Sequence, residues 1–379
     1  MTTDVIQGLT WDHPRGFVAL DAASRLDDAA ALNLHWSKQP LEGFESHPIA
    51  DLCDRFDLVV LDHPHIGEAV EAGCVWALDE LFAPEELRAW AAQSVGPSYE
   101  SYAWQGRQWG LPLDAATQVA VARADLIDAR LPATWADVTA LSRQGGVVLS
   151  VAGPHAMLSF CSMMAAWGAP PATDPKAKPF VDEDTALEVL DTMATIFGGM
   201  SEAAHDLNPI RMLEWLARSD EARYCPLIYG YVNYATSASG RKAVQFLDTP
   251  VRTAGGRHGS TLGGTGIALS RRAKPAPALL DHLRYLMSAR AQTGFIPSHE
   301  GQPSHREAWR DASVNAAAGN FYRNTLATIE DAYVRPRCAG YIEFQTRASA
   351  AIRSALASRT PHRQLVSGLN LGFERLNER

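Results

Sequence analysis

Short apolar runs and segments of helical spacing alternate through the first 115 residues. Val5–Trp11 is an apolar run that breaks at Asp12-His13-Pro14, and residues 16–30 place apolar side chains at helical intervals. Ala31-Leu-Asn-Leu-His-Trp36 predicts a second strand, and Ile49–Phe56 suits a second helix. Phe56-Asp-Leu-Val-Val-Leu-Asp62 is a near-continuous run of the kind buried on both faces of a sheet. This strand–helix order predicts a parallel, doubly wound sheet with right-handed crossovers.

From residue 116 to about 260 the alternation resumes with new elements. Thr134 is placed to cap a helix opening at Trp135, Val147–Val151 predicts a strand, and helices are expected near 154–167, 183–197 and 208–218. Tyr224–Ile228 and Ala243–Leu247 read as further strands, and residues 169–180, with four prolines, as a surface loop. Gly263-Gly264 leads into an apolar strand ending at Ser270, a helix follows over Ala276–Met287, and the final third is helical. Residues 147–168 carry no charge, but Gly153-Pro154 divides them. The helical part, at ~1.5 Å per residue, reaches about 21 Å against a bilayer core of about 30 Å. A buried strand–helix unit is the expectation there.

Composition narrows the function classes. At ~150 residues per domain, 379 residues predict two domains, and 46% hydrophobic with 20% charged residues is ordinary globular usage. A formal charge of −9 argues against tracking a nucleic-acid backbone. The basic excess in residues 271–379 is dispersed singly, as on solvated helix faces. Five cysteines lie far apart without a C-x-x-C pair, which excludes zinc ribbons and thioredoxin-like sites and predicts reduced, buried thiols. Residues 1–25 resemble no export sequence, so the expectation is a cytoplasmic chain unless an upstream segment is missing.

Ligands of open parallel sheets settle at the carboxyl ends of the strands. Three predicted strands end in Trp11-Asp12-His13, Trp36-Ser37 and Asp62-His63, offering aromatic faces and hydrogen-bonding groups to a polar small molecule. Each residue taken alone is equally a core plug or a helix cap. Tyr229 and Tyr231, after an apolar strand, are a second aromatic pair for stacking, with an amphipathic sheet edge as the alternative. His63-Pro64-His65 with Glu68 is a metal-dependent hydrolase alternative, weakened because such sites need further ligands and the two rings diverge. No phosphate loop, nucleophile elbow or zinc-protease helix is present in the sequence, so no catalytic residue, metal or cofactor is expected.

Tyr102-Ala-Trp-Gln-Gly106-Arg-Gln-Trp109-Gly110-Leu111-Pro112-Leu-Asp114 resembles a segment of the family 1 extracellular solute-binding proteins of ABC transporters. Asp125-Leu126, Pro132-Ala-Thr134-Trp135-Ala-Asp137, the Gly263-Gly264 strand, Leu283–Gln292 and Gly301-Gln-Pro303 through Trp309 follow in the family's order. The resemblance implies an α/β, two-lobed, type II periplasmic-binding-protein-like fold. Each lobe would be a mainly parallel sheet flanked by helices, with ligand in the cleft between them. Residues 1–115 with 262–310 would form the first lobe, and 116–261 with 311–379 the second. Trp11, Asp12, Trp36 and Asp62 would lie on the first lobe's rim, with His13 and His63 beside them, and Asp114 at the hinge. Trp167, Tyr229 and Tyr231 would serve the second lobe, Gly263 and Gly264 the returning strand. Arg335 is a further candidate, since a guanidinium grips a carboxylate bidentately, although it equally suits a helix carboxyl end. The implied function is a monomeric, non-catalytic, hinge-closing receptor for a carbohydrate-like ligand, with an ABC permease as partner. A cytosolic sensor or carrier on the same scaffold is the variant.

Overall fold

A computed structural model describes residues 5–26, 32–127, 130–358 and 361–378. The chain divides into two compact units. The first comprises residues 1–116, 263–315 and 337–339, and the second 117–262, 316–336 and 340–379.

In the first unit, β1 (Ile6–Trp11) lies between β2 (Leu34–Gln39) and β3 (Leu58–Leu61) and is parallel to both. Parallel neighbours need crossover helices, supplied here by Pro14–Ala23 after β1 and by Ile49–Arg55 between β2 and β3. The expected helix over 16–30 begins two residues earlier, because Pro14 suits a first helical position, and its stretch 27–30 lies outside the described residues. The second strand starts at Leu34 and runs past Trp36 to Gln39, in register with β1 from Ile6 to Trp11. All four residues of β3 are buried, as its unbroken apolar run predicts.

β4 (Leu111–Ala122) is buried along its whole length and continues from the first unit into the second. Within the first unit its carbonyls are taken by side chains. Ser304 donates to the Pro112 carbonyl at 2.5 Å, and Gln302 to that of Ala115 at 3.2 Å. Gln292 gathers this segment by accepting from the backbone N–H groups of Ser304 and His305. It sits in a π-helical turn, Ala291–Phe295, where the Ala-Gln pair of the sequence falls.

In the second unit, β5 (Tyr224–Tyr229) and β6 (Gln245–Leu247) both pair antiparallel with β4. This departs from a mainly parallel lobe: among the described residues, parallel pairing there is confined to isolated bridges. The predicted strand Val147–Val151 is one of them, bonded from the Val148 N–H to the Tyr224 carbonyl. A parallel ladder would next need the N–H of residue 226, and Pro226 has none, so the strand stops after one bridge. The apolar helix that follows runs over His155–Ala166 and is buried throughout. Among the described residues no helix is long and apolar enough to cross a membrane.

β7 (Leu262–Leu269) returns to the first unit and pairs antiparallel with β3, Leu61 opposite Gly266. In the second unit, Gln118 of β4, Ser159 and Ser162 of the buried helix, and Thr261 form a closed hydrogen-bond network. Ser162 donates to the Gln118 amide oxygen at 2.6 Å and accepts from the Thr261 backbone N–H at 2.7 Å. Polar side chains in an apolar core are costly unless each is satisfied, and here they satisfy one another. Both chain crossings near residues 116 and 262 are thus anchored by side-chain hydrogen bonds rather than by apolar packing alone.

Candidate functional site

The carboxyl edge of the parallel strands in the first unit brings together Trp11-Asp12-His13 and Asp62-His63, because β1 and β3 are adjacent and end level. Trp36 does not join them. It lies three residues before the end of β2, about 10 Å back at ~3.3 Å per residue. Its indole covers Gly8 of β1, where a Cβ would come within 2.6 Å of the ring. The sequence-predicted strand end was misplaced because the polar tail Ser37-Lys38-Gln39 remains in the ladder.

Trp11 is 3% exposed and does not present an open stacking face. His13 stacks on it at 5.1 Å with an 8° interplanar angle, the Arg15 guanidinium lies 5.6 Å from the ring centroid, and the indole edge abuts Gly16. His13 is a helix cap: its Nδ1 accepts from the Arg15 N–H at 3.1 Å. Burial, then the Arg15 charge, push its pKa down to about 4, and the bare nitrogen that the cap needs is kept. Asp12 is exposed and paired with Lys38 at 2.7 Å. Asp62 caps the turn His63–His65, accepting from the His63 N–H at 2.9 Å, and its Oδ1 lies 3.1 Å from His63 Nδ1. His63 and His65 are both buried, and Tyr102 meets the His63 ring edge-on at 6.3 Å. Among the described residues, no group of three or more His, Cys, Asp or Glu is placed to hold a metal ion, so the hydrolase alternative gains no support.

Asp114, which the resemblance places at the hinge, is buried and faces inward. Arg15 grips it through Nε to Oδ2 at 2.7 Å and Nη2 to Oδ1 at 2.5 Å, with side chains only 4% and 8% exposed. Gly264 has a φ of +86°, and a Cβ there would come 2.4 Å from the Asp114 carbonyl oxygen, so the glycine lets β7 cross against β4. Gly263, on the same strand, is half-buried.

In the second unit a polar cluster forms around Tyr229. The Tyr229 hydroxyl approaches the Leu262 carbonyl at 3.5 Å, and Arg335 donates to the same carbonyl at 3.3 Å and to Gln345 Oε1 at 3.2 Å. Arg335 is 2% exposed, a buried polar centre. His155 packs against Tyr229 at 5.9 Å. Burial, then the Arg335 charge, hold the His155 pKa at about 3, leaving a neutral imidazole beside a cation and a phenol. That set offers hydrogen bonds of both senses and an aromatic ring, which suits a polyhydroxylated molecule. Tyr231 is buried at 4% exposure.

Trp167 is elsewhere. It ends the helix that His155 begins, so the two are about 18 Å apart at ~1.5 Å per residue. Its Nε1 donates to Glu188 at 3.0 Å, and Trp135 and Arg252 cover its ring. A groove of about 800 Å³ in this unit, lined by residues such as Arg347, Leu365 and Arg375, contains none of the sequence-predicted residues. Sequence reasoning singled out none of Arg15, His155 and Gln345 as ligand contacts. His155 had a signal in its place after the Gly153-Pro154 break; Gln345, one polar residue on an amphipathic helix, had none.

The buried histidines carry a pH prediction. His13, His155 and His282 have folded pKa values of about 4, 3 and 4 against 6.5. Between those values the unfolded chain holds more protons, so stability rises with pH and is lost as pH falls from 6.5 toward 4. The urea midpoint is expected to drop across that window, by roughly 2–3 kcal/mol in unfolding free energy for each such histidine. His282→Gln should flatten the drop, and a pH-independent midpoint would show these rings to be solvated.

No protein-family model and no curated protein matches this chain. Solved structures do match, over nearly its whole length. An ABC transporter solute-binding protein from Agrobacterium radiobacter K84, in complex with ribitol, superposes with a TM-score of 0.80 at 17% identity, covering 98% of both chains. The maltose-bound MalE3 of T. maritima gives 0.79 at 15% identity, covering 98% of this chain and 99% of that one. The GacH receptor of Streptomyces glaucescens, solved unliganded and with acarbose, gives 0.79 at 13% identity, covering 100% and 99%. The chain therefore has the fold of the two-lobed solute-binding proteins, as its motifs imply.

Proposed function

We propose that this protein is a non-catalytic receptor for a sugar or polyol, closing by hinge motion and delivering its ligand to an ABC-type permease. The observation that carries the proposal is the full-length likeness of fold to receptors solved with ribitol, maltose and acarbose. The Tyr229, His155 and Arg335 cluster supports it chemically, since a phenol ring, a neutral imidazole and a guanidinium together bind hydroxyl groups.

A thermal-shift screen of sugars, polyols and sugar acids tests the reading. Binding confined to the folded state adds about 2.7 kcal/mol at a ligand concentration 100-fold above Kd, a rise of roughly 5 °C in Tm. A hit among another chemical class, with none among these, would sink the carbohydrate assignment.

Once a ligand is in hand, Tyr229→Ala should weaken binding by about 1–3 kcal/mol, through loss of ring contact and burial. Trp167→Ala is the control and should leave calorimetric affinity unchanged, since its ring is engaged with Glu188, Trp135 and Arg252. The opposite pattern would move the site to the other end of the buried helix.

A further inference from the structure

The groove between the helices Tyr341–Ser358 and His362–Glu374 of the second unit shares no residue with the Tyr229, His155 and Arg335 cluster. It encloses about 800 Å³, within the ~300–1,000 Å³ range of small-molecule sites. Phe344, Ala348, Ala355, Leu369 and Leu376 line it and are buried. The space exists because facing positions carry almost no side chain. Ala351 lies on one helix, and Gly368 on the other has no atom within 4 Å of where a Cβ would stand. At Gly372 the Phe344 ring closes the floor, 3.2 Å from such a Cβ. Leu371 is 50% exposed, and among the described residues only Val5 is a comparably exposed large apolar side chain. Helical neighbours lie three or four positions apart, so Leu371 borders the groove beside Gly368 and Arg375.

Three charged side chains line this otherwise apolar groove, and two are guanidinium groups. Arg347 and Arg375 each stand within one helical turn of the contact between Phe344 and Gly372. Arg347 is paired with Glu343 at 3.0 Å. The exposed Arg375 guanidinium makes no hydrogen bond or ion pair among the described residues. The third charge, Glu378, follows one turn later and does not pair with it.

We propose that this groove binds a single-chain amphiphile with a carboxylate head. The alkyl chain lies along the alanine and glycine walls, where a polyhydroxylated ligand would find few partners, and the head meets Arg375, with Arg347 beside it. A guanidinium accepts a carboxylate bidentately. From Phe344 to Ala355 the groove follows the helix for about 16 Å at ~1.5 Å per residue, room for a medium-length alkyl chain. The site does not rest on the receptor reading, and its test uses no sugar.

Isothermal titration calorimetry on the full chain with octanoate, decanoate and dodecanoate, each below its micellar concentration, tests the assignment. Kd should fall about fourfold for each methylene buried. Decanol and decyltrimethylammonium should bind about tenfold more weakly than decanoate, and Arg375→Gln should erase that preference while leaving decanol binding as it was. Glu378→Gln, which removes the like charge, should tighten decanoate binding. Gly368→Leu should abolish it by filling the groove, and the exchange of a helix-interior glycine for a good helix former keeps the fold intact. Absence of saturable decanoate binding, an affinity independent of chain length, equal binding of the alcohol or the cation, or decanoate binding that survives Gly368→Leu would each overturn the proposal. So would association with anionic phospholipid vesicles but not with free decanoate, which would make the groove a membrane contact.

Discussion

Asp114→Asn is expected to lower the unfolding free energy by roughly 3–5 kcal/mol, because it strands the Arg15 guanidinium in a buried site. The pair is bidentate, at 2.7 and 2.5 Å, and its members are 4% and 8% exposed. Removing both charges is a different experiment. Arg15→Met combined with Asp114→Leu should recover most of the loss, since well-packed apolar replacements of a buried ion pair are often neutral. Urea denaturation of the two single variants and the double variant supplies the cycle. If Asp114→Asn instead leaves stability intact and abolishes ligand binding, Asp114 is a ligand contact and the ion pair is secondary.

Gly264→Ala should cost about 2–5 kcal/mol for two reasons that add. The position has a φ of +86°, which a residue with a Cβ adopts only under strain. The added methyl would also lie 2.4 Å from the Asp114 carbonyl oxygen and 2.9 Å from the Ala116 N–H nitrogen, both backbone atoms that cannot rotate away. The measurement is the denaturation midpoint, with calorimetric affinity taken on the protein that remains folded. A stable Gly264→Ala variant that has lost ligand affinity would place the glycine against the ligand rather than between β7 and β4.

The two expected losses arise in one region for a common reason. β4 and β7 run against each other at the point where each passes between the units. Close approach of two backbones excludes a Cβ at Gly264, and the neighbouring carboxylate of Asp114 is cut off from water and requires its guanidinium partner.

What could be read from the sequence alone was what local chemistry decides. The apolar run at Leu58–Leu61 is a buried strand, and Thr134 caps the helix that opens at Trp135. The motif from Tyr102 to Asp114 identified the fold that the solved structures share. Where a neighbouring strand or helix decides, the sequence was silent. Trp36 looked like a strand end until the ladder with β1 carried it inward, and Val147–Val151 looked like a full strand until Pro226 arrived opposite it. Trp167 was grouped with Tyr229, yet it closes the helix whose first residue, His155, packs on Tyr229, and twelve residues of helical rise hold the two ends apart. Arg15 and Asp114 are 99 positions apart and lie on different elements. Hydrophobic periodicity records only which face of an element turns inward. Which groups then meet across a core depends on how elements dock, and that is settled by long-range packing and by the need of every buried charge and polar atom for a partner.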